Sequence, residues 1–256
     1  MTAAYAYAVM RAQDAAIPAD AQPLAGGPLS IARAGGLAAL VGEIPPGEVR
    51  RTRRNLLAHL RVLEAAMAQG PLLPMRFGVV ADSAEAVAAA IAPREAELTA
   101  LLAAHDGLAE YGLRVTFPRE AALAALGRAR PDFAEARARI MAGRASAEAQ
   151  MALMELGRRV AEALDDRRKQ AQRALLAALK PLARDHVLRA PEDDVEALRA
   201  EFLLPRADEA AFAAAAEAAA EALDFAGDAA AALKLVGPAP AYNFVSLALD
   251  APAQAA

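Results

Sequence analysis

Leu72-Leu73-Pro74-Met75-Arg76-Phe77-Gly78 sets an apolar, strand-forming run directly against a proline and a glycine. Proline donates nothing to a sheet ladder, so a strand from Leu72 to Val80 is interrupted at Pro74 and belongs at a sheet edge or a bulge. A second segment of the same design lies near the C-terminus, Leu235-Val236-Gly237-Pro238-Ala239-Pro240-Ala241-Tyr242-Asn243-Phe244-Val245. Both tell the backbone where to stop pairing and which way to turn. Neither carries the residues of a catalytic centre.

Working back from the first segment, Gly70-Pro71 stops a helix that Pro45-Pro46-Gly47-Glu48 opens. Proline is tolerated in a first turn, and Glu48 suits the positive end of the helix dipole. The apolar stripe of this helix is Leu56, Leu60, Leu63 and Met67, at helical spacing. Further upstream Tyr5–Met10, Leu29–Arg33 and Leu37–Val41 read as strands, with Gly35-Gly36 suited to a tight turn. Downstream, Ser83 caps a helix that reaches about Ala92, Pro93 restarts a second one ending near His105, and Asp106-Gly107 marks a turn.

Leu108 to Phe117 follows as a strand, with Tyr111, Leu113, Val115 and Phe117 alternating on one face. Beyond it come a long helical insert over 119–180, strands near Asp185–Arg189 and Val195–Leu204, a helix over 207–223 and a strand near Ala231–Val236. Strand, helix, strand, strand, helix, strand is the ferredoxin-like order. The expected fold class is therefore α+β with two domains. Residues 1–106 form a small α+β domain, 107–237 a ferredoxin-like βαββαβ domain with long helices, and 238–256 a C-terminal tail. A helix continuous from Ser146 to Lys180 would span roughly 50 Å. Such a helix covers the sheet, bridges both domains or offers a surface to another protein. The tail, with Tyr242, Phe244 and Val245, can fold back as a clasp or serve as a docking surface.

Composition narrows the function classes. Of the 256 residues 57% are hydrophobic, but much of that is alanine, which favours helix and buries little area. With no Trp, seven Phe and four Tyr, each aromatic is expected to anchor a particular packing site. The net charge of −4 gives no basic excess for generic nucleic-acid binding. The absence of cysteine excludes disulfides, thiolate nucleophiles and thiolate metal centres. The first ten residues have no basic residue ahead of their apolar run and alternate like a strand, so no export signal is expected. No stretch reaches the length of an uncharged membrane span, and the expected location is cytoplasmic.

His59, His105 and His186 have no metal-ligand spacing and read as structural, with His105 placed to interact with the negative end of its helix. Asp165-Asp166 followed by Arg167-Arg168-Lys169 reads as a solvated, internally paired helix face. Arg50, Arg51, Arg53 and Arg54 form the densest basic patch. They can recognise phosphate or an acidic partner face, or simply front solvent beside Glu43 and Glu48. Arg76, next to a Pro/Gly turn, can hold an anion or serve a structural pairing. No phosphate-cradling or nucleophile motif is present, so no catalytic residue, cofactor site or metal ligand is assigned. An enzyme or small-ligand binder holding an anion on Arg76 or Arg114 stays open beside a protein-binding role.

In this order and spacing, Leu72–Gly78 with its upstream His59-Leu60-Arg61-Val62-Leu63-Glu64, then Leu156-Gly157-Arg158-Arg159-Val160, Glu201-Phe202-Leu203-Leu204-Pro205 and Leu235–Val245, resemble the gas vesicle protein F/L family, with a lean to its F branch. Met75 stands where the family usually has valine, and Ala239 and Ala241 replace a frequent aromatic and proline. The resemblance implies an accessory or minor structural protein of gas vesicle assembly. Its partners would be the main shell protein and other accessory proteins, with no nucleic acid and no lipid membrane. On that reading the candidate partner-binding residues are Arg50, Arg54, Arg76, Phe77, Tyr242 and Phe244.

Overall fold

The structure, a computed structural model, describes residues 2–143 and 145–248. Strand β1 (Ala3–Arg11) is buried along nearly its whole length. It pairs antiparallel on one side with β3 (Leu37–Ile44), Val9 facing Ala39. On the other side it pairs with β4 (Leu72–Pro74), Ala8 facing Pro74. Strand β2 (Leu29–Ala34) extends the sheet beyond β3, giving the order β2-β3-β1-β4, and the short β5 (Val80–Ala81) also pairs with β1. The strand expected from Leu72 to Val80 thus breaks after Pro74, where Gly78 adopts φ +94°, a conformation open chiefly to glycine. Before that turn the Met75 amide still donates to the Tyr7 carbonyl at 2.8 Å.

Three helices complete this unit: α1 (Arg53–Met67), α2 (Ala84–Ile91) and α3 (Glu95–Ala104). Tyr5, Tyr7, Met10 and Leu40 share a cluster with Val62, Leu63 and Met67 of α1. The intervening Ala4, Ala6 and Val9 are also buried, together with Val87 and Ile91 of α2 and Leu98 and Leu102 of α3. Continuous burial is what a strand covered on both faces requires. Helix α1 starts later than its prolines suggest. Gly47 takes φ +123°, and Thr52 supplies the cap, its Oγ1 accepting from the Asn55 amide at 3.2 Å. Its buried face is His59, Val62, Leu63, Ala66 and Met67, a complete helical stripe, while Leu56 and Leu60 are half-buried at its border.

The second unit comprises Tyr111–Gly237, and the first takes back the described residues from Pro238 on. Its sheet has the order β7-β8-β6-β9, built from β6 (Leu108–Thr116), β7 (Asp185–Leu188), β8 (Glu196–Pro205) and β9 (Ala232–Ala239). The helical insert is three helices: α4 (Arg119–Ala129), α5 (Pro131–Ala142) and α6 (Ala147–Leu179). Pro131 separates the first two by opening a new first turn. Helix α6 runs unbroken for 33 residues, about 50 Å, and Ser146 caps it by accepting from the Ala149 amide at 3.1 Å.

Leu156, Leu164, Leu175 and Leu179 lie on the buried face of α6 as their spacing indicates. Arg168 is a correction. It is buried rather than solvated, and the Asp165 carboxylate 2.6 Å away neutralises it. Helix α7 (Glu209–Glu221) packs Phe212 against Phe202 of β8, ring centroids 4.9 Å apart. The architecture is a mixed α+β fold with two sheets.

Candidate functional site

The two proline- and glycine-punctuated segments meet in the first unit. Leu247 forms a parallel bridge with Met75, and the Arg76 amide donates to the Leu247 carbonyl at 3.0 Å. Arg76 Nε donates to Ser246 Oγ at 2.6 Å, and Arg94 Nη1 to the Ala248 carbonyl at 3.3 Å. Ala241 turns the tail inward, its carbonyl accepting from the amides of Phe244 and Val245 at 3.1 and 2.8 Å. The buried Glu110 carboxylate accepts from the Asn243 amide at 2.8 Å and from Asn243 Nδ2 at 2.5 Å. A buried carboxylate is costly unless hydrogen-bonded, so Asn243 and Glu110 hold each other in place.

Tyr242 enters an aromatic cluster whose hub is His59. Tyr7 stacks on the imidazole at 5.5 Å, Phe77 meets it edge-on at 5.7 Å, and Tyr242 lies tilted at 5.7 Å. The Tyr5 hydroxyl accepts from the Gly78 amide at 3.1 Å and donates to His59 Nδ1 at 2.9 Å. Burial pushes His59 down to about 4, against a smaller opposite pull from the Met75 carbonyl. The ring is therefore neutral at ordinary pH. Burial raises Tyr7 to about 12 and pushes Tyr5 and Tyr242 higher still. Among the described residues His59 Nε2 and the Tyr242 hydroxyl are buried without a hydrogen-bond partner.

Two further features front solvent. An open groove of about 1090 Å³ lies between the loop carrying Pro23 and Leu24, the loop carrying Ile44 and Pro45, and the start of α1, with Arg50, Arg54 and Arg61 among its lining. In the second unit, the end of α5 and the start of α6 flank a groove of about 460 Å³ lined by Ile140, Met141 and Leu153. Met141, Met151 and Met154 stand 62%, 66% and 69% exposed there, whereas Met10, Met67 and Met75 are buried.

The candidate residues named from sequence fall into two groups. Arg76, Phe77, Tyr242 and Phe244 belong to the tail junction, with Phe77, Tyr242 and Phe244 only partly exposed. Arg50 and Arg54 lie exposed at the groove of the first unit. Arg114 is engaged by carboxylates: it pairs with Glu192, and its Nε lies 2.9 Å from Glu196 Oε1, an ion-pair distance without hydrogen-bond alignment. Arg76 is held by a hydroxyl rather than a carboxylate. His105 Nδ1 lies 2.9 Å from the Leu101 carbonyl at its helix end, and His186 stacks on Phe202. Among the described residues no group of three or more His, Asp or Glu is arranged to hold a metal ion, and no helix is long and apolar enough to cross a membrane.

Sequence reasoning missed Glu110, Arg61 and the three methionines. Glu110 sits at an off-phase position of an alternating strand, which reads as solvent-facing. Met151 and Met154 were detectable as an apolar pair one turn apart that falls off the leucine stripe of their helix.

Residues 3–246 match the family model described as gas vesicle synthesis protein GvpL/GvpF. Gas vesicle protein F of Streptomyces sp. (strain CB03234) is 31% identical over 244 residues, covering 94% of this chain and 98% of that protein. Gas vesicle protein F of Nostoc sp. (strain PCC 7120) is 28% identical over 180 residues, covering 69% of this chain and 72% of that one. The fold matches the crystal structure of GvpF from Anabaena sp. PCC7120 with a TM-score of 0.77 at 24% identity, over 97% of this chain and all of that one. It matches GvpF from Microcystis aeruginosa with a TM-score of 0.70 at 23% identity, over 96% and all. The chain thus belongs to the GvpL/GvpF family of gas vesicle synthesis proteins, with an accessory, structural role in gas vesicle assembly rather than that of a ligand-binding enzyme.

Proposed function

We propose that this chain binds the apolar main shell subunit of the gas vesicle and assists its incorporation into the growing shell. The observation that carries the reading is the concentration of exposed methionines where α5 ends and α6 begins. A shell that encloses gas must turn one strongly apolar face inward, so its subunit is an aggregation hazard in water before assembly. A surface that shields such a face needs apolar side chains able to adapt to it. Methionine, unbranched and polarizable, is suited to that task. Met141, Met151 and Met154 supply such side chains on rigid helices, with Ile140 and Leu153 half-buried between them. Other accessory proteins of the same process are further partners in this reading.

The reading extends to the fold. The strand order β7-β8-β6-β9 supports a ferredoxin-like sheet, since a βαββαβ chain places its first and third strands side by side at the centre. The domains are then 1–106 and 107–237 with a tail at 238–256, of which 249–256 lie outside the described residues.

Co-expression of the tagged chain with the main shell subunit tests the binding. Wild-type chain should capture the subunit, and the M141Q/M151Q/M154Q variant should capture about tenfold less, since each truncated apolar contact at a docking centre costs on the order of 1 kcal/mol. Empty captures with wild type, or equal capture by the variant, would contradict the reading.

A further inference from the structure

We infer that the arginine-rimmed groove of the first unit is a second docking surface, built for an acidic, extended segment of another gas vesicle protein. The inference rests on the reading that the chain works by binding such proteins, but it uses a different surface from the methionines. Over 50–61 the sequence carries five arginines and no carboxylate, inside a chain whose net charge is −4. Arg50, Arg54 and Arg61 line the groove and are exposed.

Elsewhere the chain neutralises its arginines. Arg11, Arg94, Arg114, Arg119, Arg130 and Arg158 all sit in ion pairs. Among the described residues the three groove arginines take part in none, and Glu48 is the one carboxylate of the lining. Unpaired guanidinium groups converging on one cleft favour a polyanionic partner.

The floor selects the class of partner. Leu24 and Ile44 are buried beneath the rim, and Pro23, Pro45 and Pro46 line its walls, so apolar and charged contacts alternate along the cleft. At about 1090 Å³ the groove is larger than a usual small-molecule pocket and suits a stretch of polypeptide. No aromatic side chain lines it, so it lacks the stacking platform that single-stranded nucleic acid requires. A segment alternating acidic and apolar residues satisfies both the rim and the floor.

Short overlapping peptides tiling the gas vesicle proteins encoded with this chain, each fluorescently labelled and titrated with the full chain, provide the test. Acidic peptides should bind, with affinity falling as salt is raised. R50E/R54E should weaken that binding about tenfold or more, as removal of paired charges at an interface does. R51E/R53E makes the same charge change outside the groove lining and should leave binding within about twofold of wild type, and both variants should melt like wild type because all four side chains are exposed. Equal losses in the two variants, binding confined to neutral or basic peptides, or arginine-dependent binding of a single-stranded oligonucleotide in place of acidic peptides would each overturn the inference. Capture of the shell subunit by a chain that binds no acidic peptide would refute the groove alone. Failure of both would refute the partner-binding reading as well.

Discussion

Tyr5 and Tyr242 touch the same imidazole, yet their hydroxyls stand in opposite situations. The Tyr5 hydroxyl serves the Gly78 amide and His59 Nδ1, while the Tyr242 hydroxyl is buried with no partner among the described residues. An unmatched hydroxyl keeps its desolvation cost, and removing a matched one strands its partners. Tyr242→Phe should therefore raise stability by about 1 kcal/mol and Tyr5→Phe lower it by about 1–2 kcal/mol, read as opposite shifts of the urea midpoint. His59 adds a pH signature. Its folded value of about 4 lies below the ordinary 6.5, so between the two the unfolded chain binds the proton and the folded chain does not. Stability should fall as pH drops through that window, by roughly 3 kcal/mol once it is complete. His59→Leu should flatten this dependence, and parallel profiles for the variant and wild type between pH 7 and 4 would contradict the assignment.

At the scale of elements, α6 joins a packed half to an exposed one. Leu175 is fully buried, so Leu175→Ala should cost about 2–5 kcal/mol through lost transfer energy and an unfilled cavity. Leu153, half-buried near the start of the helix, should cost less than about 1 kcal/mol, and thermal unfolding of the two variants gives the comparison. The leucine spacing that places α6 was legible in the sequence, as were the strands of both sheets and the Ser83 and Ser146 caps. These signals are local, each set by period or by a single capping side chain. The start of α1 was misread because Pro45-Pro46-Gly47-Glu48 imitates a first turn, while Thr52 holds the actual cap. The buried partnership of Glu110 with Asn243, and the bridge between Met75 and Leu247, join residues far apart in the chain. No local pattern encodes such pairings, so the distinctive segments were readable as strand-and-turn signals but their meeting was not.

For the whole molecule, family membership, the α+β architecture and the segregation of methionines into buried and exposed sets converge on one physical role. The protein keeps an apolar building block out of water until it is used, and no covalent chemistry is required of it. Ionisable side chains are for the most part paired or capping, as with Arg114 and Glu110, while the apolar groups left to solvent concentrate on the helical insert. Light scattering from the main shell subunit diluted out of denaturant, with and without this chain, measures that role directly. An equimolar amount of wild-type chain should suppress aggregation, and M141K/M151K/M154K, folded to the same melting temperature, should fail to do so. Unchanged scattering in the presence of the wild-type chain would contradict the role itself.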